Sequence, residues 1–448
     1  MAIRKRYYFW LFKAYIKRWR KTIATSVILG IIISIAGIAF LNFYIKPSID
    51  NKIVKVGMFG IYSTETLPPR VLQDVSYGLT NIRETGEIVP AAATRWEIKN
   101  EGKEYTFYLK KGQIFHNGEE LTAHNLPLTF RDAQKKVIDD YTVSYTLSAP
   151  YAPFLTTVAK PIVLQDFSGL GIYKLQKIDL NAGFIRSLTL QSKNDSAHKK
   201  IVTFYPTQAG LKTAYMLGEV DLLNGATTLS IDDKDLQTWT QTSIEPDTNY
   251  SELVTLFYNN TDANLSDKKL RQALNYALPE KFAQGERAYS PIPPQSMYHS
   301  QIPTYAISDI EIAKEVLSTS SIELEKPLEI TTTPELESTA KQIASEWKKL
   351  GIDSKIIVSE SVPRSFQVLL YRYKIPADPD QYTLWHSDQI NNIGKYKNLR
   401  IDNLLEKGRV ETDPQERVTI YADFQKYLLD DVPASFLYFP IEYTVKRT

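Results

Sequence analysis

The 448-residue chain contains no cysteine. That excludes a disulfide framework, a thiolate metal site, a cysteine nucleophile and a lipidated cysteine anchor. Histidine is almost as scarce: His116, His124, His198, His299 and His386 are scattered and form no close pair, which fits surface or locally hydrogen-bonded roles better than metal ligation. There is also no GxSxG elbow, no HExxH and no glycine-rich phosphate loop ending in Lys-Ser/Thr. Adjacent carboxylates occur at Asp139-Asp140, Asp232-Asp233 and Asp430-Asp431. Such neighbours in loops and at helix ends are ordinarily solvated or capping. With no nucleophile and base to name, the sequence does not read as an enzyme, and it calls for no cofactor.

Acidic residues are missing from the first 21 positions, MAIRKRYYFWLFKAYIKRWRK, which hold eight Lys or Arg with interleaved aromatics. Charge of either sign is missing from the next 24, Thr22 to Ile45. A helix of that length reaches about 36 Å and a hydrocarbon core is about 30 Å thick, so the run is long enough to span. The Lys/Arg asymmetry predicts a cytoplasmic leader over 1–21, a transmembrane helix over 22–45 and everything else outside, with Tyr7, Tyr8, Trp10 and Trp19 at the interface. A cleaved secretory signal with Gly37-Ile38-Ala39 as its site competes with this reading, but signal cores run to only about 7–15 residues. Without the leader's eight basic residues the remainder holds 45 basic against 51 acidic, a mixed surface that does not suit a nucleic-acid binder.

About 400 residues exceed what one core usually serves, so two lobes are expected. Strand and helix signals alternate throughout, which makes the class α/β. The clearest unit runs from Leu328 to Val358. It comprises the strand LEIT, Thr333 as N-cap with Pro334 at the first helical position, an apolar stripe from Leu336 to Leu350, Gly351 as terminator, and the strand IDSKIIV. Ser266 and Asp267 open a second helix; Asp413, Pro414 and Glu416 open a third that carries Tyr421, Phe424 and Leu428. EYTFYL alternates as a strand and Asn117-Gly118 turns the chain. Asp378-Pro379-Asp380 lies between the apolar VLLY and the aromatic stretch Tyr382 to Trp385. It reads as a Pro-stabilised turn that is also placed to carry carboxylates and rings to a cleft.

Several long blocks, taken in order, resemble the family 5 extracellular solute-binding proteins, the receptors of oligopeptide and dipeptide ABC importers. They are IVPAAATRWEIKNEGKEYTFYLKKGQIFHNGEELTAHNL, GLGIYKL from Gly169, GEVDLL from Gly218, LFYNNTDANLSDKKLRQALNYAL, DPDQYTLWHS, and the stretch from Asn392 to Tyr438. The resemblance covers nearly all of residues 53–442. It implies a two-lobed α/β clamshell of the periplasmic-binding-protein kind, with one lobe at 46–254 completed by 433–448 and the other at 255–432. The chain would cross between lobes near Thr255–Asn259 and Pro433–Tyr438. The ligand would be a peptide or similar polar molecule, and the partners an ABC permease and its ATPase.

This sequence departs from the family pattern at several points. Where peptide-binding members often place an ammonium-binding Asp, three positions before the Asp-Pro pair, it has Ile375. The stretch Phe130–Tyr141 is short, Pro127 falls early in an expected helix, and the finish after the last matched strand is abbreviated. The candidate cleft residues are Asp378, Asp380, Tyr382, Trp385 and Asn392, with Tyr62 and Tyr173 from the other lobe; each aromatic is weighed against a plain core role. The alternatives are a non-transport surface module that reuses the clamshell, and nickel or haem capture involving His386.

Overall fold

The computed structural model describes residues 2–40, 53–231, 234–301 and 308–448. An N-terminal helix spans Ala2–Phe40 and is interrupted at Trp19, whose backbone (φ −105, ψ 16) is not helical. Among the described residues no helix is long and apolar enough to cross a membrane. The uncharged run continues to Ile45, and 41–45 lie outside the described residues.

The first lobe is built on the parallel strands Ile53–Phe59, Lys199–Tyr205 and Leu222–Ala226, extended by the antiparallel pair Phe184–Ser192 and Tyr173–Asn181. Val56 faces both Val202 and Leu222 across the ladder, so one apolar row seals the sheet centre. A second sheet of four antiparallel strands, in the order Ala93–Lys99, Glu104–Leu109, Thr142–Leu147, Ala133–Asp139, sits beside it. Tyr105, Phe107 and Leu109 are buried in its core with Tyr145 and Phe154, as the alternation in EYTFYL predicts. The expected helix after Pro127 does not form. Proline has no N–H to give, the chain runs irregularly through 126–129, and Lys135 from the next strand donates to the Leu126 carbonyl at 2.6 Å. The shortened stretch after Phe130 is instead the strand Ala133–Asp139, hairpinned onto Thr142–Leu147.

In the second lobe Leu328–Thr332 pairs in parallel with both Ser354–Val358 and Val368–Lys374. The connecting helix Glu337–Lys348 buries Ala340, Ile343 and Trp347 against them. Thr333 is extended but makes no side-chain cap, and Pro334 starts a short 3-10 turn before the helix. Asp267 and Asp413 cap as expected, accepting from the Leu270 amide and from the Gln415 and Glu416 amides.

One 14-residue strand, Ala434–Arg447, joins the two lobes into a continuous sheet. Its first part pairs with Glu252–Tyr258 and its last part with Thr242–Thr248 and Leu222–Ala226. The two chains that cross between lobes thus run side by side as an antiparallel ribbon. The change of partner falls between Tyr438 and Ile441, just beyond the Pro433–Tyr438 stretch that the resemblance assigns to the hinge. At the crossing Arg372 pairs with both Glu252 and Glu442, and Asn249 donates to Glu442 at 2.7 Å.

Candidate functional site

The strand Val368–Lys374 delivers the Asp378-Pro379-Asp380 turn to the seam between lobes. Oδ1 of Asp378 accepts the Asp380 amide at 2.9 Å, and Oδ1 of Asp380 accepts the Tyr382 amide at 3.0 Å. These Asx turns lock the segment before the short helix Tyr382–Trp385. The tripeptide is thus a turn held by its own carboxylates.

Two arginines from the helices that follow meet the two carboxylates. Arg417, one turn into the helix Pro414–Asp431, grips Asp378 with both terminal nitrogens, at 2.6 and 3.2 Å. Its Nε donates to the Gly408 carbonyl at 3.1 Å, and its guanidinium lies beside the Tyr298 and Tyr421 rings. Burial works against the Arg417 charge, and the Asp378 carboxylate more than offsets it, so the guanidinium is held above its ordinary range. Arg409, from the helix Leu399–Val410, brings Nε to 3.1 Å from Oδ2 of Asp380, yet that N–H finds no hydrogen-bond acceptor among the described residues. Its guanidinium stacks over Tyr382 at 4.3 Å and faces Tyr151 of the first lobe at 5.2 Å. Burial raises the Asp380 carboxyl above the usual range even with Arg409 opposing it.

These groups border two cavities that both lobes line. One, of about 650 Å³, has Asp378 and Arg417 on the second-lobe side and Trp96, Tyr105, Thr156 and Tyr298 around it. Burial pushes the Tyr105 hydroxyl up to about 12 and raises that of Tyr298, so both stay neutral. The other, of about 840 Å³, is walled by Phe130, Tyr151, Phe154, Tyr382 and Arg409, with Arg131, Asp132 and Glu406 at hand. Large apolar walls carrying a few convergent polar groups are what ligand sites generally present. Three direct bonds close the seam around them: Thr156 Oγ1 to Asp378 at 3.2 Å, the Ala152 amide to the Arg409 carbonyl at 2.7 Å, and the Met297 amide to the Thr85 carbonyl at 2.8 Å.

The structure brings Asp378, Asp380 and Tyr382 together, Asp380 standing behind Arg409 rather than lining either cavity. The other four candidates line neither cavity. Trp385 is 1% exposed in the second-lobe core and donates to Gln381. Asn392 fixes a local turn through the Tyr396 amide and carbonyl. Tyr62 packs on Phe204 at 4.9 Å and Tyr173 belongs to the same first-lobe cluster. Ile375 also faces inward, packed against the second-lobe core, and its amide donates to the Ser251 carbonyl. His386 stacks on Tyr382 at 4.2 Å and its Nδ1 accepts the Asp388 amide, leaving Nε2 toward Glu406 at 3.3 Å. Among the described residues no group of three metal-ligating side chains forms. Sequence reading missed Arg409, Arg417, Tyr151 and Tyr298. A signal existed for Arg417 alone, as a charge on the buried stripe that continues through Tyr421, Phe424 and Leu428.

Comparison with known proteins agrees with this architecture. The family described as bacterial extracellular solute-binding proteins, family 5 middle, matches residues 87–392. The dipeptide-binding protein of Escherichia coli K12 is 24% identical over 432 residues, covering 78% of this chain and 80% of its own. Heme-binding protein A of Haemophilus influenzae is 23% identical, covering 78% of each. Among solved structures, the ABC transporter substrate-binding protein CtaP of Listeria monocytogenes superposes with a TM-score of 0.74 at 21% identity, over 89% of this chain and 94% of its own. The chain is a member of the family 5 bacterial extracellular solute-binding proteins.

Proposed function

We propose that this protein is an extracytoplasmic receptor that takes a peptide or similar polar ligand between its lobes, without chemical change, and passes it to an ABC permease and its ATPase. The observation that carries the reading is the pair of cavities lined by both lobes, beside a turn whose carboxylates are already paired within the protein. The lobes are 46–254 with 433–448, and 255–432. The uncharged run Thr22–Ile45 tethers the receptor in the membrane as a single helix, with the leader cytoplasmic. In a chain without cysteine it replaces a lipid tether and raises the receptor's effective concentration beside its permease.

The ligand contacts are Asp378 and Tyr382, with Asp380 acting through Arg409. Trp385, through Gln381, backs the turn, while Asn392, Tyr62 and Tyr173 contribute to the packing of their own lobes. Asp378 has both oxygens committed to Arg417, Thr156 and the Asp380 amide, and Ile375 is apolar and packed away. A free ligand ammonium would therefore find no open carboxylate at that turn, and the other carboxylates on the cavities, Glu87, Asp132 and Glu406, are solvent-exposed and so hold an ammonium only weakly. Recognition rests on the aromatic walls, so an N-acetylated peptide should bind about as well as the same peptide with a free N-terminus. The test is thermal unfolding of the full-length protein in detergent with matched free and N-acetylated di- to tetrapeptides. Equal upward shifts are expected. No shift from any peptide would remove the peptide reading; a shift confined to free N-termini would show that a carboxylate is available after all.

A further inference from the structure

The N-terminal helix has two unlike halves, and its break at Trp19 lies between them. On the half before the break Tyr8, Leu11, Phe12, Tyr15, Ile16 and Trp19 recur at alternating steps of three and one, which places them on one face. Each is between 40% and 66% exposed, so no other described part of the protein covers that face. Lys13 and Lys17 stand on the opposite face, with Trp10 beside them, Arg20 and Lys21 follow the break, and the first acidic residue of the chain is Asp50.

We infer that the leader is an amphipathic helix lying in the plane of the membrane, its aromatic face among the acyl chains and its basic face on anionic phospholipid headgroups. A lipid surface with acidic headgroups satisfies both faces together. A nucleic acid would engage the lysines and arginines and leave six large apolar side chains in water. The break at Trp19 is where an in-plane leader turns into the apolar half, and kinks of this kind let one helix take two directions. The uncharged run alone does not need this arrangement, so the inference deepens the tethered-receptor reading and rests on it only for the side of the membrane involved.

The chain has no cysteine, so single nitroxide labels at Phe12→Cys, Lys17→Cys and Ile32→Cys report one position each. The full-length protein is placed in nanodiscs of phosphatidylcholine alone or of phosphatidylcholine with phosphatidylglycerol, and label accessibility to oxygen and to a water-soluble nickel chelate is measured. With phosphatidylglycerol at low salt the Phe12 label should be lipid-buried and the Lys17 label water-exposed. The contrast should fade in phosphatidylcholine alone and at high salt. In the Lys13→Gln/Lys17→Gln background, read at Phe12, the ratio of buried to exposed leader should fall about 30-fold, at about 1 kcal/mol for each basic residue near an anionic surface. Equal exposure of the Phe12 and Lys17 labels in anionic discs overturns the inference. So does a contrast indifferent to phosphatidylglycerol and salt, or one that needs added RNA or a soluble protein. The Ile32 label reads the tether separately: if it is aqueous while Phe12 is buried, the tether fails and the leader inference stands.

Discussion

The two aspartates of one tripeptide have opposite circumstances. Asp378 and Arg417 are 9% and 7% exposed, bidentate, and further bonded to Thr156, Tyr298 and the Gly408 carbonyl. Asp380 meets an Arg409 that is 30% exposed, misaligned for a hydrogen bond and held mainly by two aromatic rings. A buried pair with every lone pair committed is part of the scaffold, and removing one partner leaves an uncompensated charge. A half-exposed, stacked guanidinium contributes little to stability and keeps its donors for something else. The Asp380–Arg409 side of the seam is therefore the adjustable one.

The largest expected effect is on the scaffold pair. Arg417→Met should lower unfolding free energy by about 3–5 kcal/mol, read by denaturant titration, and adding Asp378→Asn should restore part of the loss. A single variant within about 1 kcal/mol of the parent would make the two pairs equivalent and end the distinction. Gly408 immediately precedes Arg409 and its carbonyl accepts from Arg417, and a Cβ there would meet the buried Tyr421 ring at 2.7 Å. Gly408→Ala should cost about 1–3 kcal/mol by overpacking and disturb both pairs at once; an unchanged melting temperature would mean that the two helices separate easily.

Asp380 gives a pH test. Its folded-state pKa lies above that of the unfolded chain, near 3.8, so as pH rises past that value the unfolded state gives up its proton first. Stability contributed by the protonated form is complete below that pH and is lost as pH rises through the folded pKa. Asp380→Asn should remove that decline, leaving a flatter melting temperature on the high-pH side of the unfolded value by scanning calorimetry, and an unaltered slope would assign the titration to another group. Arg409→Gln should cost less than Arg417→Met, because Arg409 is 30% exposed and its Nε makes no hydrogen bond, although Asp380 behind it is 9% exposed. Its effect should instead appear in ligand affinity by calorimetry, and a variant that binds as the parent does would place the ligand away from the larger cavity.

Local chemistry made much of the fold legible. Asp267 and Asp413 announce their helices because a cap acts within three residues, and the strand, helix and strand of 328–358 announce a parallel pair because both periods are written in consecutive positions. Thr333 holds the cap position with Pro334 first in the turn but makes no side-chain cap bond, and Pro127 misled. At Thr333 the first turn is a short 3-10 turn; at Pro127 an irregular segment leads into a hairpin strand instead of a helix. The tripeptide 378–380 was legible as a turn, but its partners were not. Arg409 and Arg417 reach it only through the packing of two later helices, and Tyr151 and Thr156 only through the meeting of the lobes. Trp385 adjoins the turn in sequence, and the short helix that follows points its ring into the second-lobe core, whereas Asn392 lies beyond that helix and fixes a turn of its own with Tyr396.

The three bonds across the seam, from Thr156, Ala152 and Met297, have a consequence for populations. Each joins protein to protein, so each favours the closed arrangement whatever fills the cavities. A receptor whose competent state is largely populated loses little apparent affinity to conformational selection. The same bonds must be broken to release cargo. In the proposed receptor, delivery would depend on a permease that binds the open form better than the closed one, by enough to outweigh these contacts.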